Sequence, residues 1–219
     1  MKIVIFGASG GCARSATVEA VKAGHEVTVL LRDPSKLELE DTTLKQRLTK
    51  VQGNALNLED VKKVIENQDV IISSLGGKPI MGITGATLDN PTICADAMKT
   101  LQQAVSQVAN PPKRIVVVST TGIGEKRDVP YLLVPLYMWL LHRPLVDKAN
   151  MEKILETVAI PEKIVVKPTL LTDGAATNNI NAGEDAIGYS ISRADVGIFL
   201  VKECLASQTW VNKKVLLTS

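Results

Sequence analysis

Lys2-Ile3-Val4-Ile5-Phe6-Gly7-Ala8-Ser9-Gly10-Gly11-Cys12-Ala13 is the stretch that decides the fold. Residues 2–6 are an apolar, β-branched run ending at Gly7, which predicts a strand buried on both faces, as in parallel sheets. Small or apolar residues at 13, 16, 17, 20 and 21 then mark one face of a helix. Between them lies Gly7-x-x-Gly10-x-x-Ala13. A first glycine permits a tight turn, a second lets a pyrophosphate approach the backbone, and a third small residue lets helix and strand pack closely. The helix N-terminus behind the turn offers free N–H groups and a partial positive charge. Strand, turn and helix together predict a dinucleotide site.

The alternation continues outward. Gly24 stands where a helix C-cap is expected, and residues 27–31 (VTVLL) form a second buried strand. Strands are predicted at 49–52, 69–75, 114–120, 163–168 and 213–219, and helices at 58–67, 91–109, 147–157 and 193–206. Strands alternating with helices imply right-handed βαβ units. The expected fold is therefore α/β, a Rossmann-type doubly wound parallel sheet forming a single domain over residues 1–219. Two insertions, 76–91 and 121–147, follow strands and so fall on the carboxyl edge, where ligands bind in such sheets. They are the expected walls of a substrate pocket.

Composition supports a globular chain. Of 219 residues, 45% are apolar and 22% charged, with 25 Lys and Arg against 23 Asp and Glu. That balance excludes disorder and leaves no electrostatic footprint for nucleic acid. Seven aromatics offer little for base stacking. Cys12, Cys94 and Cys204 are scattered, and with only His25 and His142 beside them no metal site is expected. The N-terminal apolar run is too short for a signal peptide, and the stretch 131–146 is too interrupted for a membrane span. A cytoplasmic location is expected, with no nucleic-acid or membrane partner.

The second predicted strand ends in Leu31-Arg32-Asp33, with Ser35 and Lys36 following. An acid here binds a ribose 2′-hydroxyl; an arginine pairs with a 2′-phosphate. Arg32 comes first, so NADP(H) is expected over NAD(H), and Asp33 reads as a turn residue before Pro34. Asn54 and Ala55, after the third strand, are expected near the adenine.

These residues, with GNALN (53–57), KPTLLTDG (167–174) and SRADVGIFLV (192–201), resemble the NmrA-like, NAD(P)H-binding group of atypical short-chain dehydrogenases across nearly the whole chain. Within that group the chain is similar to biliverdin reductase B-type flavin reductases and to small fungal secondary-metabolism proteins. The resemblance implies that Gly7, Ser9, Gly10, Gly11, Cys12 and Arg32 bind the adenosine diphosphate half, with Ser74, Leu75 and Gly76 beside the ribose and phosphates. It implies that Thr120 holds the catalytic hydroxyl position, Lys148 the place near the nicotinamide ribose, and Pro168 and Thr169 the nicotinamide. Ser119, at the end of the same strand, is a further catalytic candidate.

One departure shapes the chemistry. The better-known short-chain dehydrogenases carry Tyr-x-x-x-Lys, but Pro144 stands four residues before Lys148. A ketone that accepts hydride becomes a high-energy alkoxide and needs a proton in the transition state. A flavin or quinone becomes a delocalised anion that solvent can protonate. The expected function is an NADPH-dependent oxidoreductase passing hydride to a flat, apolar, flavin- or quinone-like small molecule. Two alternatives stay open: an NADP(H)-binding redox sensor without turnover, and a biosynthetic isomerase, cyclase or dehydratase. A monomer or homodimer is expected.

Overall fold

Eight strands form one twisted sheet in a computed structural model that describes residues 1–39, 41, 45–82, 85–124 and 127–219. The strands are β1 (Lys2–Phe6), β2 (Glu26–Leu31), β3 (Leu48–Gln52), β4 (Val70–Ser73), β7 (Arg114–Val118), β8 (Glu162–Pro168), β10 (Asn181–Gly183) and β12 (Lys213–Thr218). Their order is β10-β12-β8-β7-β4-β1-β2-β3. All pairings are parallel except the edge pair of β10 with β12. Two small pairs lie outside: an antiparallel hairpin of β5 (Pro79–Gly82) with β6 (Gly85–Leu88), and β9 (Leu170–Thr172) parallel to β11 (Ser190–Ser192).

Alternate residues of β1 face opposite layers. Ile3 and Ile5 join a core with α1 (Gly11–Lys22) and α5 (Arg193–Lys202). Val4 and Phe6 join a core with α2 (Leu58–Ile65), α3 (Ile93–Val105) and α4 (His142–Thr157). Both faces are covered, so the strands read as unbroken apolar runs rather than alternating ones. β1 pairs β2 on one side and β4 on the other, so the strand order reverses there and opens a crevice beyond their carboxyl ends.

The doubly wound parallel sheet is the expected one, with corrected bounds. The helix expected from 147 starts at His142, because Pro144 falls in its first turn, where the missing N–H has no intrahelical partner to lose. The strand expected over 69–75 stops at Ser73, the one over 114–120 stops at Val118, and the helix over 91–109 runs only from Ile93 to Val105. The helix expected to reach 206 ends at Lys202. The hairpin, the β9–β11 pair and the antiparallel β10 were not anticipated; their three- and four-residue strands carry too little period-two pattern to read. Of the two insertions, Ile83, Thr84, Glu125 and Lys126 lie outside the described residues. Among the described residues no helix is long and apolar enough to cross a membrane, and no cluster of His, Cys, Asp or Glu is arranged to hold a metal.

Candidate functional site

Two adjoining cavities run along the carboxyl edge, about 770 Å³ and about 430 Å³ in volume. Both are bounded by Gly10, Ser74, Leu75, Gly76 and Gly77, so they meet at the crevice between β1 and β4.

Gly7 and Gly10 form the floor of the larger cavity. Gly7 has φ +89°, and a Cβ there would lie 2.5 Å from the Ser74 carbonyl oxygen, so only glycine fits. Gly10 N–H donates to Gly7 O at 2.9 Å, closing the turn. Gly10 is the N-cap of α1 and supplies no side chain to satisfy the first-turn amides. Those amides remain for an anionic ligand. Ala13 is buried, which lets α1 pack against the sheet.

The same cavity is lined by Ser9, Arg32, Asn54 and Ala55. Asp33 is committed locally: its Oδ1 accepts from Ser35 N at 3.1 Å and Ser35 Oγ at 2.6 Å, capping the turn Pro34–Lys36. Those hydrogen bonds hold its carboxyl below the usual range. Arg32 is exposed, and among the described residues its guanidinium has no hydrogen-bond or ion-pair partner. Asn54 folds back to accept from Leu56 N at 3.1 Å, and its own N–H donates to Asp60 at 2.9 Å. It shapes the wall through its backbone.

Gly11, Cys12, Ser119, Thr120, Lys148, Pro168 and Thr169 all border the smaller cavity. Lys148 Nζ donates to Leu75 O at 2.8 Å and Val118 O at 2.7 Å, so its ammonium is hung between the ends of β4 and β7. An ammonium has three donors, and beyond these two carbonyls Lys148 also faces the Cys94 thiol on the cavity wall. Thr120 is half-buried, its hydroxyl donating to Thr121 O at 3.1 Å. Ser119 is different. Its hydroxyl donates to the buried Glu152 at 2.5 Å, and Glu152 in turn takes Lys214 at 2.8 Å. Its proton is spent on that carboxylate, so Ser119 ties β7 to α4 rather than offering an acid to the cavity.

Cys12 also differs from a reactive thiol. Burial pushes it up to about 11, outweighing the nearby Arg193 and Lys148 charges. Cys94, on the opposite wall, is likewise pushed up to about 11 by burial.

One side of the smaller cavity is apolar. Leu141, Pro144 and Leu145 from the start of α4 join Leu88, Leu170 and Leu171. Tyr137 also lines it, whereas Tyr131, Trp139 and Tyr189 are exposed. Tyr137 sits in a π-helical turn, Leu136–Leu140, with its hydroxyl 2.9 Å from Thr121 Oγ1. Burial raises its phenol above the ordinary value.

Two features escaped the sequence reading. Asp147 is buried and accepts from Cys94 N and Ala95 N, both at 3.0 Å, capping α3 from the neighbouring helix. The buried Lys167 donates to Asp128 at 2.7 Å and to Ile123 O at 2.6 Å, pinning the second insertion to the sheet. Neither pairing leaves a local signal, because the partners are 39 to 53 residues apart.

A glycine cradle on a helix N-terminus, beside a crevice at the switch in strand order, fits a dinucleotide. The sequence matches the NAD(P)H-binding family over residues 7–207. The chain belongs to that family. Two fungal relatives span most of it. One, named reductase pytE, from Aspergillus terreus, is 35% identical over 89% of this chain and 88% of its own. Another, named oxidase pynE, from Aspergillus niger, is 30% identical over 99% of this chain and 98% of its own. Among solved structures, the NADP complex of a short-chain dehydrogenase/reductase from Veillonella parvula has the same fold. It has a TM-score of 0.78 and 15% identity, over 100% of this chain and 94% of that one. The anaerobilin reductase ChuY of Escherichia coli O157:H7 superposes with TM-score 0.73 at 19% identity, over 99% and 96%. This member of the NAD(P)H-binding family is thus an NAD(P)H-dependent enzyme of oxidoreductase type, built on a Rossmann-like sheet.

Proposed function

We propose that the protein is an NADPH-dependent reductase whose acceptor is a flat, largely apolar small molecule of flavin or quinone type. The observation that carries this reading is the pair of joined cavities: one floored by the glycine turn and edged by Arg32, which has no partner among the described residues, the other walled by leucines and proline. NADPH bound across them supplies a hydride. The chain's own residues do the rest by positioning, which alone is a large share of such catalysis.

Arg32 faces the larger cavity while Asp33 is occupied by its own turn, which favours a 2′-phosphate over a bare ribose hydroxyl. Lys148 lines the smaller cavity with its ammonium held in a fixed position. Thr120 adds a hydroxyl on the same wall. Pro144 takes the place four residues before Lys148, and the Tyr137 hydroxyl is paired with Thr121 Oγ1 while burial makes its phenol a weaker acid. An acceptor whose reduced anion is delocalised needs no protein acid.

The test is NADPH oxidation at 340 nm with menadione and with FMN as acceptors. Turnover is expected with at least one, and Arg32→Ala is expected to raise the KM for NADPH about tenfold or more while leaving NADH within about twofold. Equal losses for both nucleotides would remove the 2′-phosphate assignment. Tight NADPH binding without oxidation across quinones, flavins and carbonyls would replace the reductase reading by a sensor.

A further inference from the structure

The SRAD segment at the start of α5 contains one charged side chain that neither the fold nor the reading above uses. Ser192 and Asp195 are spent on structure. Ser192 Oγ accepts from Asp195 N at 2.9 Å, and the buried Asp195 carboxylate takes Thr177 N, Thr177 Oγ1 and Asn178 N at 2.9 to 3.1 Å. Arg193 goes elsewhere. Its stem crosses the first residue of α1 so closely that a Cβ at Gly11 would lie 2.0 Å from Arg193 Cδ.

The crossing is a consequence of helix packing. α1 and α5 pack side by side with both N-termini at the carboxyl edge. A Cβ at Gly197 would lie 2.3 Å from Ser15 Oγ, and Ser15 Oγ donates to Ala194 O at 3.2 Å. This brings Arg193 over the glycine turn and into the wall of the smaller cavity, beside Gly10, Gly11 and Lys148. Arg193 Nη1 donates to Asp173 at 2.7 Å and to Leu171 O at 3.4 Å. Among the described residues, Nε and Nη2 have no hydrogen-bond partner. A guanidinium is a planar fork of donors that fits phosphate bidentately. Its nearness to the helix end shows in Cys12, where Arg193 is the largest charge acting on the thiol.

We propose that Arg193 is a cofactor-phosphate ligand: its free guanidinium edge binds the pyrophosphate of NADP(H) opposite the amides of the glycine turn, with Asp173 steadying the other edge. The inference rests on the dinucleotide reading of these cavities and adds a cation to it. Gly11 then has a reason that the turn motif does not give. It is glycine because Arg193 must lie across it. Asp173 is mostly exposed, so its pairing alone contributes little to stability. Its effect is to hold a flexible side chain in a phosphate-facing pose before the ligand arrives.

The experiment is calorimetric titration of the full-length protein with two ligands, NADP⁺ and adenosine 2′-phosphate, which lacks the pyrophosphate. Arg193→Ala and Arg193→Gln are expected to weaken NADP⁺ about tenfold or more, the scale of a lost charge-assisted hydrogen-bond pair. They are expected to leave adenosine 2′-phosphate within about twofold. Arg193→Lys, a point charge without the fork, is expected to fall between. Gly11→Ala should weaken NADP⁺ through the same side chain, so the double variant Gly11→Ala with Arg193→Ala should lose much less than the two singles combined. Unchanged NADP⁺ affinity in the Ala and Gln variants overturns the proposal, as does an equal loss for both ligands or a purely additive double variant. A wild-type protein that binds neither ligand overturns the dinucleotide reading itself, an outcome visible before any variant is made.

Discussion

Gly7 is fixed twice over. Its φ of +89° lies where a side chain is strained, and a Cβ would overlap the Ser74 carbonyl. Gly7→Ala is expected to cost about 2–4 kcal/mol of stability, measured by urea unfolding, since both the backbone strain and the overlap must be relieved. Gly10→Ala is the control: its Cβ would meet only Gly7 O at 3.5 Å, ordinary contact, so stability should hold while NADP⁺ binding falls. Asp195 is one source of pH dependence. Burial pushes its carboxyl up, but hydrogen bonds from Thr177, Ser192 and Asn178 outweigh this and hold it below the usual 3.8. A depressed folded-state value stabilises the protein above the unfolded value, and the contribution is lost as pH falls through the folded one. This contribution should therefore be lost on acidification below about pH 4. Asp195→Asn should be weaker at pH 7 and flatter in acid, read by thermal unfolding at stepped pH. A variant as acid-sensitive as wild type would assign the effect to other carboxylates.

At the scale of elements, α4 locates the candidate chemistry. Lys148 hangs from β4 and β7, Asp147 caps α3, and Glu152 grips Ser119 on β7 and Lys214 on β12. Two adjoining turns of one helix thus tie down one neighbouring helix and the ends of three strands. Asp147→Ala uncaps two buried amides and should cost about 1–3 kcal/mol by urea unfolding. It should also raise the KM for NADPH, because Lys148 is the next residue on the loosened helix. A stability loss with no change in KM would show that Lys148 is held by its two carbonyls alone. Little of this was legible in advance. The strand β7, RIVVV, and the glycine turn were readable because their signals are local and periodic. The clamp was not, since Asp147 lies 53 residues from Cys94 and Glu152 lies 33 from Ser119. The sequence showed that Lys148 lacks a tyrosine partner, but it could not show that the ammonium is held by main-chain carbonyls instead.

For the whole molecule, the glycine turn, the arginine after β2 and the apolar wall come from opposite ends of the chain. Gly7 and Thr169 belong to the same groove because the sheet order places β8 two strands from β1's neighbour β4. A ligand spanning that groove binds only the folded chain, so it stabilises the whole by mass action. At one hundred times its Kd this amounts to about 2.7 kcal/mol, and for a domain of this size about 2–4 °C per kcal/mol, hence a rise in Tm of about 5–10 °C. NADPH is expected to give that rise in a thermal melt, and NADH at equal concentration clearly less, because only the former has a 2′-phosphate for Arg32. Arg32→Ala should bring the two shifts together by lowering that of NADPH. If NADH stabilises wild type as much as NADPH does, the groove reads the nucleotide without its 2′-phosphate, and the open guanidinium of Arg32 serves solvent exposure rather than cofactor choice.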